Sequence, residues 1–223
     1  MERSLLDTKL KFCGNASYED YQAVLESAAD YVGLIFANSR REVKPETAGS
    51  WFNELGKGCK KLVGVFVNPT LGEIERVLKA VPLDVIQLHG SESPEFAGKV
   101  KDRFSLQVWK AIHHSDRSIE QMKNYESIVD GYVVDNRTKD KWGGTGKRFD
   151  WQQIPFYLEE AEVQQVPLFI AGGIKPENIE RLMAFHPYGI DLSSGIETNG
   201  RKDIYKMKRI IERMKKNGDT STG

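Results

Sequence analysis

Short apolar runs alternate with longer amphipathic stretches along most of the chain. Residues 9–13 set the pattern: Leu10 and Phe12 share one strand face, and Lys9, Lys11 and Cys13 share the other. A thiol thus closes a short strand on its polar face, just before Gly14. The runs 31–36 (YVGLIF), 61–67 (KLVGVFV), 84–89 (DVIQLH), 106–112 (LQVWKAI), 131–135 (GYVVD), 167–171 (PLFIA) and 189–192 (GIDL) read as further strands. Between them the spacing predicts helices over 18–30, from Pro45 to near Gly56, and over 70–80, 92–103, 117–125 and 150–161. Two more are predicted from Pro176 onward and over 201–216. Ser17, three residues before Asp20, is the expected first N-cap, and Pro45 fits a first helical turn.

Strict strand–helix alternation argues for a parallel sheet covered by helices. About eight such units in this length fit a small, single-domain (β/α)8 TIM barrel. The barrel is expected to span 1–216, with a flexible tail at 217–223. An open doubly wound sheet is the competitor, but no G-x-G-x-x-G follows the first strand.

Composition narrows the function classes. Lys+Arg and Asp+Glu balance at 32 each in 223 residues, so no basic face calls for nucleic acid. No apolar stretch approaches the roughly 18–20 residues of a membrane span, and Met1–Ser4 does not begin a signal peptide. Two distant cysteines and no export signal lead us to expect reduced thiols and a cytoplasmic protein. Balanced charge makes a monomer the default.

Strand parity assigns the chemistry. Leu10/Phe12, Ile86/Leu88 and Ile190/Leu192 form the helix-facing sets, which leaves Lys11/Cys13, Gln87/His89 and Asp191/Ser193 facing the barrel axis. Asp135 belongs with Gly131 and Val133, whereas Lys110 is ambiguous. Strand C-termini form the active face of such barrels, so Cys13, His89, Asp135 and Ser193 are expected at one mouth. Lys11 and Asp191 lie a layer deeper, and a buried charge needs a partner, so these two are expected to pair. Cys13 is a candidate nucleophile or base, its thiolate favoured by Lys11. Asp135 is a candidate acid, its carboxyl raised in a closed pocket. His89 suits a hydrogen-bonding wall. His113-His114 lack partners at metal spacing, and Cys59 reads as structural.

Gly172-Gly173 and Ser193-Ser194-Gly195 end the last two strands, where barrels commonly bind phosphate through backbone N–H groups. Gly143–Lys147 imitates a P-loop only superficially, because Lys141 and Arg148 occupy two of its key positions; a flap suits it better. Arg40 and Arg41 follow the second strand and could grip a carboxylate.

These blocks, in order, resemble the phosphoribosylanthranilate isomerase family of tryptophan biosynthesis. The resemblance rests on 11–14 (KFCG), 33–36 (GLIF), 63–68 (VGVFVN), 84–90 (DVIQLHG), 109–111 (WKA), 143–147 (GGTGK), 171–178 (AGGIKPEN) and 191–200 (DLSSGIETNG). It implies a (β/α)8 barrel and an Amadori rearrangement of N-(5-phosphoribosyl)anthranilate, a small phosphosugar, without cofactor or metal. Cys13 matches the family's general base and Asp135 its general acid. Arg41 aligns best with the arginine for the anthranilate carboxylate, with Arg40 the alternative. Gln87, His89 and Asp191 are expected at the substrate. Gly144, Gly172, Gly173, Ser193, Ser194 and Gly195 are expected at the phosphate. Asn136 departs from the usual Thr or Ser after the acid. The rivals are a Schiff-base aldolase using Lys11 or Lys110, and a phosphosugar-binding domain without turnover.

Overall fold

The computed structural model describes residues 8–135 and 151–219. Eight parallel strands close into a barrel, paired in chain order from β1 to β8 and back to β1. They are β1 Lys9–Cys13, β2 Tyr31–Ile35, β3 Lys61–Phe66, β4 Val85–Leu88, β5 Gln107–His113, β6 Gly131–Asp135, β7 Leu168–Ala171 and β8 Gly189–Leu192. The helices are α1 Tyr18–Leu25, α2 Pro45–Leu55, α3 Leu71–Ala80, α4 Pro94–Phe104, α5 Ser118–Asn124, α6 Ile154–Val163, α7 Ile179–Met183 and α8 Ile204–Asp219. Among the described residues no helix is long and apolar enough to cross a membrane.

The alternation of side chains divides the core in two. Leu10, Phe12, Ile86, Leu88, Ile190 and Leu192 pack outward under the helices. Cys13, Val63, Val65, Val85, Trp109, Val133 and Phe169 fill the lumen. Trp109 stacks on Phe169 with ring centres 4.8 Å apart, and Tyr31 closes on both. These rings occupy the lumen where a Cβ on Gly189 would lie 2.3 Å from the Phe169 ring, so the glycine makes room for them. The strand N-termini are therefore plugged, and the polar inward positions collect at the C-terminal rim.

Several helix bounds differ from the sequence reading. α1 stops at Leu25 rather than 30, because Ser27 Oγ turns back to the Val24 carbonyl and Lys60 Nζ caps the Ser27 and Ala29 carbonyls. α7 begins at Ile179, and 3-10 turns precede α6 at Trp151–Gln153. The expected start of the last helix is instead a hairpin, β9 Glu197–Thr198 with β10 Arg201–Lys202, and α8 starts at Ile204. Asn199 and Gly200 both have positive φ, 52° and 79°, the two-residue turn that Asn-Gly favours.

Candidate active site

Cys13 lies at the end of β1 against β2. A Cβ on Gly33 would stand 2.7 Å from its Sγ, so the glycine gives the thiol its place. One layer down, the Lys11 Nζ meets Asp191 Oδ2 at 2.6 Å with both side chains buried, as expected. Burial alone would push the Lys11 ammonium down; Asp191, then Cys13, outweigh it and hold it above its ordinary value. Burial also pushes the Cys13 thiol up, and the opposing pull of Lys11 and Lys202 does not restore it. Lys11 does favour the thiolate, as expected, but desolvation of the charged sulfur is the larger effect. Asp191 Oδ1 is buried without a hydrogen-bond partner among the described residues.

Asp135 closes β6 and is buried. His89 Nε2 stands 3.4 Å from its Oδ2, and His89 Nδ1 lies 2.9 Å from Gln87 Nε2. With the Gln87 amide donating to Nδ1, the His89 N–H is on Nε2 and faces the Asp135 carboxyl group. The His113 ring packs edge-on against His89, centres 5.4 Å apart. Burial, then His89, holds His113 below the ordinary histidine range, so it is neutral at pH 7. Sequence reasoning missed His113 as a site neighbour, although it shares the inward parity of Trp109 and Ala111.

Arg41 and Arg40 part company. Arg41 is buried, and its Cδ would touch a Cβ on Gly14 at 2.4 Å, so the stem crosses the backbone turn beside Cys13. Its Nε and Nη2 each reach a Glu197 carboxylate oxygen at 2.7 Å. Arg40 is largely exposed and touches the same carboxylate at 3.2 Å. Lys202 Nζ completes the cluster, 3.0 Å from Glu197 Oε1 and donating to the Cys13 carbonyl at 2.6 Å. Burial pushes the Glu197 carboxyl up, but Arg41 and Lys202 outweigh it and hold it below the usual carboxylate range. Neither Glu197 nor Lys202 was foreseen at the site. The signal was the Asn199-Gly200 turn, which sets Glu197 opposite Lys202.

The loops after β7 and β8 meet backbone to backbone. A Cβ on Gly195 would lie 1.7 Å from the Ile174 carbonyl oxygen, so the two turns pack as only glycine allows. Gly172 and Gly173 both have positive φ, and open space lies before the Gly173 Cα. The Gly172-Gly173 and Ser193-Ser194-Gly195 turns therefore lie side by side at the rim, a candidate phosphate cradle close to Asp191. Gly144 lies outside the described residues.

The two lysines of the aldolase alternative are placed otherwise. Lys110 turns outward: its Nζ reaches the Leu88 and Gly90 carbonyls at 3.2 and 2.8 Å and Glu92 Oε2 at 2.9 Å. Lys11 is held by Asp191. Cys59 is exposed, away from the rim.

Residues 10–213 match the family model for N-(5′-phosphoribosyl)anthranilate isomerase. The chain belongs to that family. It is 55% identical over 207 residues to the N-(5′-phosphoribosyl)anthranilate isomerase of Geobacillus thermodenitrificans, covering 93% of this chain and 94% of the relative. The crystal structure of the Thermotoga maritima phosphoribosyl anthranilate isomerase is similar with a TM-score of 0.81 at 34% identity, covering 94% of this chain and 99% of that one. A phosphoribosyl anthranilate isomerase in complex with reduced 1-(o-carboxyphenylamino)-1-deoxyribulose 5-phosphate matches with a TM-score of 0.78 at 32% identity, covering the same shares of the two chains. Membership in this family makes the chain an isomerase of tryptophan biosynthesis on a TIM barrel.

Proposed function

We propose that the chain converts N-(5′-phosphoribosyl)anthranilate to 1-(2-carboxyphenylamino)-1-deoxyribulose 5-phosphate by acid–base catalysis at this rim. The observation that carries the reading is the placement of Cys13 and Asp135 on the same rim, on strands β1 and β6, beside the glycine cradle of β7 and β8.

The Asp135 carboxyl donates its proton to the ribose ring oxygen as the C1′–O4′ bond breaks. The anthranilate nitrogen lone pair then forms an iminium at C1′. The Cys13 thiolate removes the proton from C2′, and that bonding pair becomes the C1′=C2′ bond of an enolamine. Return of a proton to C1′ and loss of the C2′ hydroxyl proton give the ketone, so the reaction is an isomerisation with no net proton. The Asp135 carboxylate formed in the first step can accept that hydroxyl proton and be ready again. Lys11 sits within the charge field of the sulfur and stabilises its anion when it forms. Gln87 and His89 wall the sugar next to Asp135, and Asp191 offers its second oxygen to a sugar hydroxyl. Gly172, Gly173, Ser193, Ser194 and Gly195 give backbone N–H groups to the phosphate; the expected contribution of Gly144 falls outside the described residues. Arg41 meets the anthranilate carboxylate, since it is the buried arginine next to Cys13.

The test is the loss of substrate fluorescence with purified protein and no added metal. Turnover supports the reading; tight binding without turnover would instead favour a phosphosugar-binding domain. Covalent trapping by borohydride on Lys11 or Lys110 would favour the aldolase. We read the chain as a cytoplasmic monomer, for which one peak of 25.3 kDa in light scattering is expected.

A further inference from the structure

We propose that Glu197 is a positioning residue that fixes the Arg41 guanidinium for the substrate carboxylate. The inference rests on the reading that Arg41 meets that carboxylate.

Glu197 is a buried carboxylate that the acid–base steps do not use. It holds the guanidinium side-on through Nε and Nη2, both at 2.7 Å. A planar guanidinium held along that edge turns its remaining end, carrying Nη1, in one fixed direction. The anchor is itself rigid. Lys202 stands opposite Glu197 across the hairpin, and its ammonium bridges Glu197 to the Cys13 carbonyl. The hairpin is only two residues a side, too short to hold on its own. It is tied down by the Lys202 N–H to Asp20 at 2.8 Å and by Lys206 Nζ to the Glu197 carbonyl at 2.6 Å. Charge favours the arrangement too. Arg40, Arg41 and Lys202 surround a single carboxylate, so the cluster stays cationic and able to attract an anion.

The probes are the reduced product analogue, 1-(o-carboxyphenylamino)-1-deoxyribulose 5-phosphate in reduced form, and its phenylamino counterpart lacking the carboxylate. The ratio of their affinities reads the grip on the carboxylate. Wild type is expected to prefer the carboxylated probe. Glu197→Gln is expected to lose that preference by on the order of tenfold, the scale of one charge-assisted hydrogen bond. Affinity for the counterpart should not change. Glu197→Asp, which keeps the charge, should recover part of the ratio; it serves as the test if the glutamine variant does not fold. An unchanged ratio in Glu197→Gln, with Arg41→Ala abolishing the preference, would overturn this inference alone. A preference that survives Arg41→Ala would overturn the underlying reading of Arg41. Equal loss for both probes would mean that Glu197 serves the fold only, and would also overturn the inference.

Discussion

The two ends of the barrel use carboxylates differently. At the N-terminal end, Asp30, Asp84 and Asp130 precede β2, β4 and β6. Each accepts the backbone N–H of the preceding strand, from Leu10 at 2.8 Å, Leu62 at 2.7 Å and Val108 at 2.9 Å. Each also pairs with a lysine, Lys9, Lys57 or Lys101. This is one device used three times, tying strand to strand with partly exposed groups. At the C-terminal rim and the layer below it, Asp135, Glu197 and Asp191 are buried. Their partners are histidine, lysine and arginine side chains in a polar pocket, and Asp191 keeps one oxygen unbonded among the described residues. Burying a charge with hydrogen-bonding capacity left over opposes stability. Such a cost is tolerated where a ligand completes the set, so the C-terminal end is read as the chemical end and the other as the structural one.

Substitutions can break this contrast, and the largest effect is expected at Asp135. Asp135→Asn should lower kcat by roughly 10²–10⁴-fold, as should Cys13→Ala, with melting temperatures near wild type. Lys11→Met should unfold more readily by about 3–5 kcal/mol, because it strands the Asp191 charge in the lumen; denaturant melts measure it. Asp84→Ala should cost about 1–3 kcal/mol by leaving the Leu62 N–H unsatisfied, with kcat unchanged. Lys9→Ala, at a half-exposed pair, should cost at most about 1 kcal/mol. A kcat loss at Asp84 to match that at Asp135 would erase the distinction between the ends.

The pH dependence sharpens it. With the Cys13 thiol pushed above its ordinary value by burial, the thiolate fraction grows as pH rises. The kcat/KM profile should therefore still climb through the usual thiol range rather than level off below it. For stability the sign is opposite. The fold favours the protonated thiol, so its contribution is full below the unfolded thiol value and is lost as pH rises toward the folded one. Glu197 behaves the other way: its contribution is present above the ordinary carboxylate value and is lost as acid protonates it.

The barrel was legible because side-chain parity is local. Leu10/Phe12 against Lys11/Cys13 fixed which face of β1 looks inward, and the same rule on β8 allowed Lys11 and Asp191 to be matched although 180 positions separate them. The ambiguity of Lys110 was real: its strand is buried on both faces, and only the Glu92 turn shows which way it points. The Arg41–Glu197 clamp was not legible, because it joins a loop to a hairpin after the last barrel strand and has no periodicity to report it. The net direction at the Cys13 thiol was not legible, because burial, which the sequence does not state, outweighs the nearby lysine. Helix ends were displaced where side chains such as Ser27 and Lys60 captured the final carbonyls.

The most direct test is the structure of this chain with the reduced product analogue bound. Cys13 Sγ is expected about 3–3.5 Å from C2′, the Asp135 carboxyl across the sugar from it, and the phosphate in the β7–β8 glycine cradle. A complex with the phosphate in that cradle but either group out of reach of the sugar would contradict the acid–base roles given to Cys13 and Asp135.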